Sequence, residues 1–222
     1  MATPLPDGPW QKLGADVCEY KNQQYLVIVD YYSRFIELVH LPDLTSKTLI
    51  FKFRNVFARH GLPYVLRTDN ARSFNSQEFH QFTQSQDIEH EFSSTHFCQS
   101  SGAVEVAVKI AKKCLKQEDS FLALMMHRST PHSATGVSPA ELLYGRKLRT
   151  TVPVLSSSLK PSWPDASLIR EKDQHYKQTY KPPQQPWKKA LFISVISSIH
   201  INMFESRSTV TSSGNLQQSN IQ

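Results

Sequence analysis

The pattern of hydrophobic positions near the start of the chain predicts three β-strands. They cover residues 13–19, 25–29 and 35–41. The middle strand is a continuous apolar run of the kind that lies in the interior of a sheet. The chain is therefore predicted to begin with part of a β-sheet.

Helical periodicity replaces the strand pattern after residue 45. From residue 46 to residue 60, apolar side chains recur at helical spacing, and Gly61 followed by Pro63 marks the end of the helix. A short apolar segment, residues 64–67, then predicts a buried strand with Asp69 at its carboxyl end. Loops at that end of the strands carry the chemistry in open α/β sheets.

Two further elements complete the predicted sheet domain. Asn75, with Glu78 three residues later, fits the N-cap of a helix that runs through Phe82. Residues 88–92 alternate as a fifth strand, expected at the edge of the sheet. This order of elements predicts an α/β domain with a five-stranded mixed sheet flanked by helices.

The segment that follows predicts an amphipathic helix over residues 102–116. Its apolar stripe comprises Val104, Val108, Ala111 and Leu115, and a second stripe comprises Glu105, Lys109, Lys112 and Lys116. The two stripes lie about 100° apart around the helix axis. Glu105 is therefore expected at the boundary of the core.

A further helix is predicted at residues 139–144. Ser138 fits its N-cap, Glu141 fits the third helical position, and Gly145 lies just past its end. These signals are structural and carry no prediction about function.

The character of the sequence changes after Pro164. Residues 170–189 are polar and contain prolines, and residues 205–222 are rich in serine and glutamine. We therefore expect a leader or linker at residues 1–9, a core domain at 10–155, a polar helix or linker at 156–189, and a disordered tail of unknown origin at 190–222.

Composition gives limited information about the partner and the compartment of the protein. The chain has 25 basic and 19 acidic residues and a pI near 9.2, which suits a polyanionic partner but is also common for a solvated surface. Three cysteines without C-x-x-C spacing predict a reducing compartment, and the histidines form no zinc-binding array. Without a secretory signal or a sufficiently long apolar run, we expect an intracellular protein that does not associate with membranes.

Three acidic residues form the candidate site for chemistry: Asp16 in the first strand, Asp69 after the fourth strand, and Glu105 in the amphipathic helix. The presence of these three acids alone proves little, because each of them also has an ordinary structural explanation. Asp16 could be an exposed strand acid and Asp69 a turn former, and Glu105 could pair with Lys109 one turn later. Asp30 is a rival candidate, but it precedes a predicted turn and is expected to cap it.

The flanking residues favour a shared site. Asp69 lies in Arg-Thr-Asp-Asn-Ala, Glu105 lies in Ser-Gly-Ala-Val-Glu, and 35 residues separate the two acids. This arrangement resembles the D,D-35-E catalytic core of retroviral and LTR-retrotransposon integrases, most closely those of gypsy-type elements. The similarity continues almost collinearly from Trp10 to about Pro164.

The resemblance implies a ribonuclease-H-like fold and a polynucleotidyl transferase or endonuclease that processes the 3′ ends of DNA and joins them to a target. It implies two Mg²⁺ or Mn²⁺ ions when substrate is bound, one held by Asp16 and Asp69 and the other by Asp16 and Glu105. Carboxylates suit such hard cations, and without cations their crowding should raise their pKa values. The zinc-binding domain that accompanies full-length integrases is not expected here.

The same resemblance implies a set of nucleic-acid contacts and partners. The residues expected to touch DNA are Asn70, Gln99, Ser100, Lys109 and Lys112, and a second basic cluster comprises Arg146, Lys147 and Arg149. DNA is the expected partner, the protein is expected to form a homodimer or a higher oligomer, and its expected location is the nucleus.

Several residues depart from the family pattern. Ala71 replaces the usual glycine of Asp-Asn-Gly, which would cost about 1 kcal/mol if that position needs a positive φ. Thr95, Cys98 and Ser101 replace two prolines and an asparagine in the loop before the helix, and Val106 follows Glu105 in place of arginine. A catalytically impaired, truncated or host-adopted DNA-binding or interaction module therefore remains an alternative. A ribonuclease H shares the fold but spaces its acids differently.

Overall fold

The computed structural model describes residues 5–93 and 102–179, which belong to one compact unit, Met1–Thr179. Its strands are β1 (Lys12–Tyr20), β2 (Gln23–Asp30), β3 (Ile36–Leu41), β4 (Val65–Thr68) and β5 (Glu89–Phe92). Its helices are α1 (Ser46–His60), α2 (Gln77–Ser85), α3 (Gly102–Leu115), α4 (Ser120–Ser129), α5 (Pro139–Tyr144) and α6 (Ala166–Thr179), with a 3₁₀ turn at Ser156–Leu159.

The five strands form one mixed sheet in the order β3-β2-β1-β4-β5. β1, β2 and β3 pair antiparallel, whereas β4 pairs parallel to β1 and to β5. The predicted five-stranded mixed sheet is confirmed, and β5 lies at an edge as expected. The observed strand limits differ from the predicted limits by one or two residues at most ends.

Alternation along β1 and β2 gives the sheet two buried faces. Leu13 and Ala15 on β1 belong to a core cluster with Phe53 of α1 and Phe79 of α2. Cys18, two positions from Asp16 on the same strand, belongs to a second cluster with residues of α3 and α4. Because successive side chains of a strand point to opposite faces, Asp16 lies on the face covered by α3.

Two predicted helices begin and end as their sequences indicate. α1 spans residues 46–60 as predicted, with the Thr45 side chain accepting a hydrogen bond from the amide of Thr48. α5 has the complete capping box of Ser138 and Glu141 and ends at Gly145, which adopts a left-handed conformation. Such caps satisfy amide groups that have no partner within the helix.

The predicted N-cap of α2 is wrong by one residue. The cap is Ser76, whose hydroxyl accepts a hydrogen bond from the amide of Phe79, and the helix continues to Ser85 rather than ending at Phe82. The Asn75 carboxamide instead lies 3.2 Å from the His80 imidazole. Serine and asparagine are nearly equal as caps, so sequence alone could not choose between adjacent candidates.

The predicted apolar stripe of α3 is also shifted. The fully buried residues are Ala107, Ala111 and Cys114, whereas Leu115 is only half-buried and Glu105 is exposed rather than at the core boundary. Small side chains dominate because α3 packs closely on the sheet, and small residues give a weak hydrophobic signal. The following helix, α4, was not predicted from the sequence.

Helix α6 is held against the sheet domain by the buried carboxylate of Asp173. Asp173 is 1% exposed, accepts a hydrogen bond from Arg34 at 3.0 Å, and pairs with Lys177 at 2.5 Å. Ile169 is buried one turn earlier, and Arg170 reaches Asp7 at 2.9 Å. Whether the functional domain ends at residue 155 stays a prediction, and residues 180–222 lie outside the described residues.

Two sequence expectations concern compartment and membranes. Cys18 and Cys114 are buried free thiols, and Cys98 lies outside the described residues. No helix among the residues that the structure describes combines the length and the apolar character needed to cross a membrane.

Candidate active site

Strands β1 and β4 bring two of the three predicted acids together. The parallel register pairs Ala15 with Thr68, the last residue of β4, so Asp69 follows at the level of Asp16. Asp16 lies in the middle of β1 and is paired with Val27 of β2, whereas Asp69 begins the loop after β4. The two aspartates therefore lie next to each other at the carboxyl end of β4.

A short network fixes the backbone around Asp69. The Thr68 hydroxyl donates to the carbonyl of Asp69 at 2.8 Å and lies 2.9 Å from His90 Nε2 on β5. Because the single hydroxyl proton of Thr68 is already donated, Nε2 carries the imidazole proton in this arrangement. The Asp69 carboxylate in turn accepts a hydrogen bond from the amide of Ala71 at 3.2 Å.

Glu105 reaches the same region because α3 packs closely over β1. A Cβ atom at Gly14 would collide with the Val104 side chain and would lie 3.0 Å from the Tyr31 ring. Gly14 therefore leaves the space that Val104 occupies, which places the next residue, Glu105, above the carboxyl end of β4. Gly14 is needed for a close approach rather than for a special backbone conformation.

The three predicted acids line one cavity of about 60 Å³. Its wall is formed by Ala15, Asp16, Tyr31, Arg67, Thr68, Asp69, Ser93, Val104 and Glu105. Residues from two strands, three loops and one helix thus converge, although they are up to 90 positions apart in the sequence. Sequence reasoning placed the three acids here but missed Arg67, Tyr31, Thr68 and Ser93.

The electrostatics of Asp16 reflect this crowding. Burial raises the pKa of the Asp16 carboxyl above its ordinary value, and the amide of Val17, which donates to it at 2.7 Å, opposes that rise. The negative charges of Asp69 and Glu105 raise the pKa further, whereas the positive charge of Lys112 lowers it. A carboxyl group in such surroundings gains more than an exposed one from a bound cation.

The carboxylates are not arranged as a finished metal cluster. Within the part of the chain that the structure describes, no three His, Cys, Asp or Glu side chains are grouped closely enough to hold an ion. Asp69 and Glu105 are exposed, and like charges favour rotamers that keep them apart. The chemistry of the donors nevertheless fits a hard divalent cation, since three carboxylates face one small cavity and none of the described residues that line it is a cysteine or a histidine.

The residues predicted to contact nucleic acid fall into two groups. Asn70, Lys109 and Lys112 are exposed, and the charge of Lys112 acts on Asp16, so this lysine lies on the side of α3 that faces the acids. Gln99 and Ser100 lie outside the described residues, as do the substituted loop positions Thr95, Cys98 and Ser101.

Two doubtful residues have clear structural explanations. Ala71 is not among the residues with positive φ, so its replacement of glycine carries no backbone strain in this structure. Asp30 is fully buried and accepts hydrogen bonds from the amides of Tyr32 and Ser33 and from the Ser33 hydroxyl. As predicted, Asp30 caps the turn after β2 rather than joining the cavity.

The sequence of the described domain matches a known family. Residues 6–98 match the family described as integrase core domain. The chain carries an integrase core domain. The predicted resemblance to integrase catalytic cores is thereby confirmed, and the name of the family associates it with DNA integration.

A Gag-Pol polyprotein is among the proteins with similar sequences. The uncharacterized protein K02A2.6 of Caenorhabditis elegans is 33% identical over 163 residues, which cover 68% of this chain and 13% of that protein. The Gag-Pol polyprotein of Walleye dermal sarcoma virus is 26% identical over 181 residues, 75% of this chain and 10% of the polyprotein. The chain thus spans about a tenth of the length of these relatives.

Solved integrase structures share the fold. The simian T-cell lymphotropic virus intasome, in complex with PP2A regulatory subunit B56 gamma, matches with a TM-score of 0.56 and 23% identity, over 70% of this chain and 61% of that chain. The HTLV-2 integrase catalytic core domain in complex with magnesium, in a trimeric form, matches with a TM-score of 0.50 and 23% identity, over 63% and 98% of the two chains. The fold is therefore the ribonuclease-H-like fold of integrase cores.

Proposed function

We propose that this integrase core is a polynucleotidyl transferase that acts on DNA by Mg²⁺-dependent phosphoryl transfer, in 3′-end processing and strand transfer. The observation that carries the proposal is the convergence of Asp16, Asp69 and Glu105 on one cavity. The solved HTLV-2 core is described as a magnesium complex, which supports the same class of cofactor for this chain.

Asp16, Asp69 and Glu105 would hold the metal ions, with Asp16 shared between two of them. Bound divalent cations would supply an activated oxygen nucleophile and would stabilise the leaving oxygen. The protein's own contribution is positioning. Asp16 is fixed within β1 by the amide of Val17, and Asp69 is held by Thr68 through its backbone carbonyl.

Substrate DNA would lie along the exposed basic side of α3. Lys109 and Lys112 are exposed on the turns that follow Glu105, where phosphate groups entering the cavity would pass. Asn70, exposed beside Asp69, would contact the substrate at the other wall. We further propose that the protein acts as a homodimer or a higher oligomer at nuclear DNA.

The test of catalysis is the substitution Asp69→Asn, with Asp87→Asn as the matched control. Both remove one exposed carboxylate, but Asp87 lies in the turn after α2, away from the cavity, and has a positive φ that asparagine tolerates well. We expect Asp69→Asn to lower Mn²⁺-supported cleavage of branched DNA by at least about a hundredfold and Asp87→Asn to leave it unchanged. Equal activity of the wild-type protein and Asp69→Asn would reject this assignment.

One observation favours a second function. The described carboxylates do not form a finished cluster, which suits a core that has lost turnover but still binds DNA or a partner protein through the basic side of α3. Calorimetry separates the two functions, because the enzyme takes up Mg²⁺ or Mn²⁺ and a pure binding module does not. Salt-sensitive DNA binding without metal uptake would support the binding module.

A further inference from the structure

The cavity contains a cationic side chain that the three-acid scheme does not use. Arg67 lies on β4, two positions before Asp69, and its side chain lines the cavity with Asp16, Asp69 and Glu105. Arg67 is paired with Gly14 of β1, and paired residues on adjacent strands point to the same face of the sheet. Both residues therefore lie on the face that α3 covers. Among the described residues that line the cavity, Arg67 is the one with a permanent positive charge.

Arg67 does not neutralise the neighbouring acids. Among the described residues, no ion pair joins it to Asp16, Asp69 or Glu105, although all four line the same cavity. Its acidic partner within the described ranges is Glu91 on β5, whose carboxylate oxygen lies 3.7 Å from Nε, too far for a hydrogen bond. The Glu91 carboxylate is already engaged, because Lys12 donates to its two oxygens at 2.8 and 2.9 Å.

The neighbouring side chains restrain the Arg67 guanidinium but do not use all of its hydrogen-bond donors. Its Nε atom is buried and has no hydrogen-bond partner among the residues that the structure describes, and its side chain is 17% exposed. The guanidinium also bonds to the hydroxyl of Tyr31, a residue that is 3% exposed. Tyr31 and Glu91 thus hold the group from two sides, which reduces the entropy lost when it binds an anion.

An arginine held in this way suits a phosphate. The planar guanidinium offers parallel N–H groups that match two oxygens of a phosphodiester, whereas lysine offers only a point charge. A carboxylate ligand is less suitable here, because three carboxylates already face the cavity and leave Arg67 unpaired with them. A phosphate that binds together with divalent cations would neutralise Arg67, while the cations would neutralise the three carboxylates.

We propose that Arg67 is a substrate-contacting residue that binds a phosphate oxygen of the DNA strand lying over the three carboxylates. This inference rests on the proposed function, and it deepens that function by adding a residue for recognition of the reacting phosphodiester. The residue binds the substrate directly rather than acting through another side chain.

The experiment compares Arg67→Met with Arg54→Met. Both substitutions remove one arginine, but Arg54 is exposed on α1, on the opposite face of the sheet, where it lies over the Phe82 ring. Binding of a short fluorescein-labelled DNA duplex to the full chain is followed by anisotropy, with Mg²⁺, over a series of salt concentrations. Mg²⁺ uptake is measured separately by calorimetry.

We expect Arg67→Met to weaken DNA binding about tenfold and to reduce the salt slope by about one. Mg²⁺ uptake should remain, since the carboxylates are intact, and Arg54→Met should change DNA affinity by less than about twofold. If Arg67→Met proves unstable, Arg67→Lys replaces it. That variant should keep the salt slope but lose several-fold in affinity, because the bidentate contact is lost.

The outcomes separate this inference from the proposed function. Affinity of Arg67→Met and Arg67→Lys equal to that of the wild-type protein would overturn the inference, and Arg67 would then be a wall residue that packs against Glu91 and Tyr31. If the wild-type protein itself binds neither Mg²⁺ nor DNA, the proposed function fails and the inference fails with it.

Discussion

At the scale of single residues, the acids could be found from the sequence but their surroundings could not. Asp16, Asp69 and Glu105 stand out through spacing and flanking residues. Arg67 could have been found by strand alternation, since it is two positions from Asp69, but its neighbours Tyr31 and Glu91 come from distant segments. No local pattern encodes such contacts.

Ala71 shows the opposite limit of the sequence argument. Its replacement of glycine suggested strain beside Asp69, yet Ala71 has no positive φ and its amide donates to the Asp69 carboxylate. A residue that departs from a family pattern therefore need not disturb the group beside it. The local backbone geometry decides, and a sequence does not state that geometry.

The support of Asp69 by Thr68 yields a prediction. Thr68→Val keeps the shape of the side chain but removes the hydroxyl that donates to the Asp69 carbonyl and accepts from His90. We expect a loss of about 1–3 kcal/mol in the free energy of unfolding, because His90 Nε2 loses its partner inside the protein. We also expect weaker Mg²⁺ uptake, measured by calorimetry, because the loop at Asp69 loosens.

Thr83→Val is the matched control for this variant. Thr83 is also buried, and its hydroxyl donates to the carbonyl of His80 within α2, away from the cavity. This variant should leave Mg²⁺ uptake unchanged, and Thr68→Ser should restore most of the loss. If Thr68→Val and Thr83→Val had equal effects on Mg²⁺ uptake, the positioning role of Thr68 would be refuted.

At the scale of elements, helices with strong end signals were predicted well. α1 and α5 match because threonine or serine caps, helical spacing and a terminal glycine all agree. α4 was missed because its side chains have weaker periodicity, and only Ala123 and Leu124 are buried. The tight packing of α3 on the sheet also escaped prediction, since it depends on a glycine in a different element.

The contact between α3 and β1 yields a prediction for Gly14→Ala. In a strand interior, alanine normally stabilises relative to glycine. Here the added methyl group would collide with Val104, so we expect a loss of about 1–3 kcal/mol in the free energy of unfolding. Urea unfolding followed by circular dichroism measures the effect, and Gly102→Ala is the control, since no described residue beyond its chain neighbours and its own helix backbone lies within 4 Å of its Cβ position.

A double-mutant cycle shows whether the collision is with Val104. Val104→Ala opens the space above Gly14, so the double variant should lose less stability than the sum of the two single variants. Additive effects would show that the methyl group at position 14 acts elsewhere, for example on the Tyr31 ring.

At the scale of the whole molecule, the sheet order follows from the sequence only in part. The five strands and the mixed character of their sheet could be predicted. The burial of both faces of the sheet follows from alternation along β1 and β2. The docking of α6 could not be predicted, because its sequence is polar and its anchor is the buried Asp173. A polar helix held by a charge has no hydrophobic pattern to reveal it.

Two partly buried histidines make the stability of the domain depend on pH. Burial lowers the pKa of His127 and of His132 to about 4, from an ordinary value of 6.5. Between these values the unfolded chain binds more protons than the folded domain, so the free energy of unfolding should fall as pH decreases from about 6.5 to about 4. We expect a loss on the order of 2 kcal/mol for each of these histidines.

Urea unfolding between pH 4.5 and 7 measures this dependence. The lower limit of pH 4.5 keeps most of the titration of Glu37 outside the measured range. Burial raises the pKa of Glu37, but His60, Arg128 and Arg59 outweigh burial and hold this pKa below its ordinary value of 4.5. His127→Leu should make the profile flatter, whereas His175→Leu, at an exposed position of α6, should not. A His127→Leu profile parallel to that of the wild-type protein would contradict the prediction.

The fastening of α6 brings together two segments that are far apart in the sequence. Arg170 pairs with Asp7 at 2.9 Å, and Leu5 packs on the cluster that contains Ile169. The point where the chain enters the domain therefore adjoins the helix through which it leaves. A domain with neighbouring entry and exit points can be accommodated within a longer polypeptide without spreading the segments on either side of it.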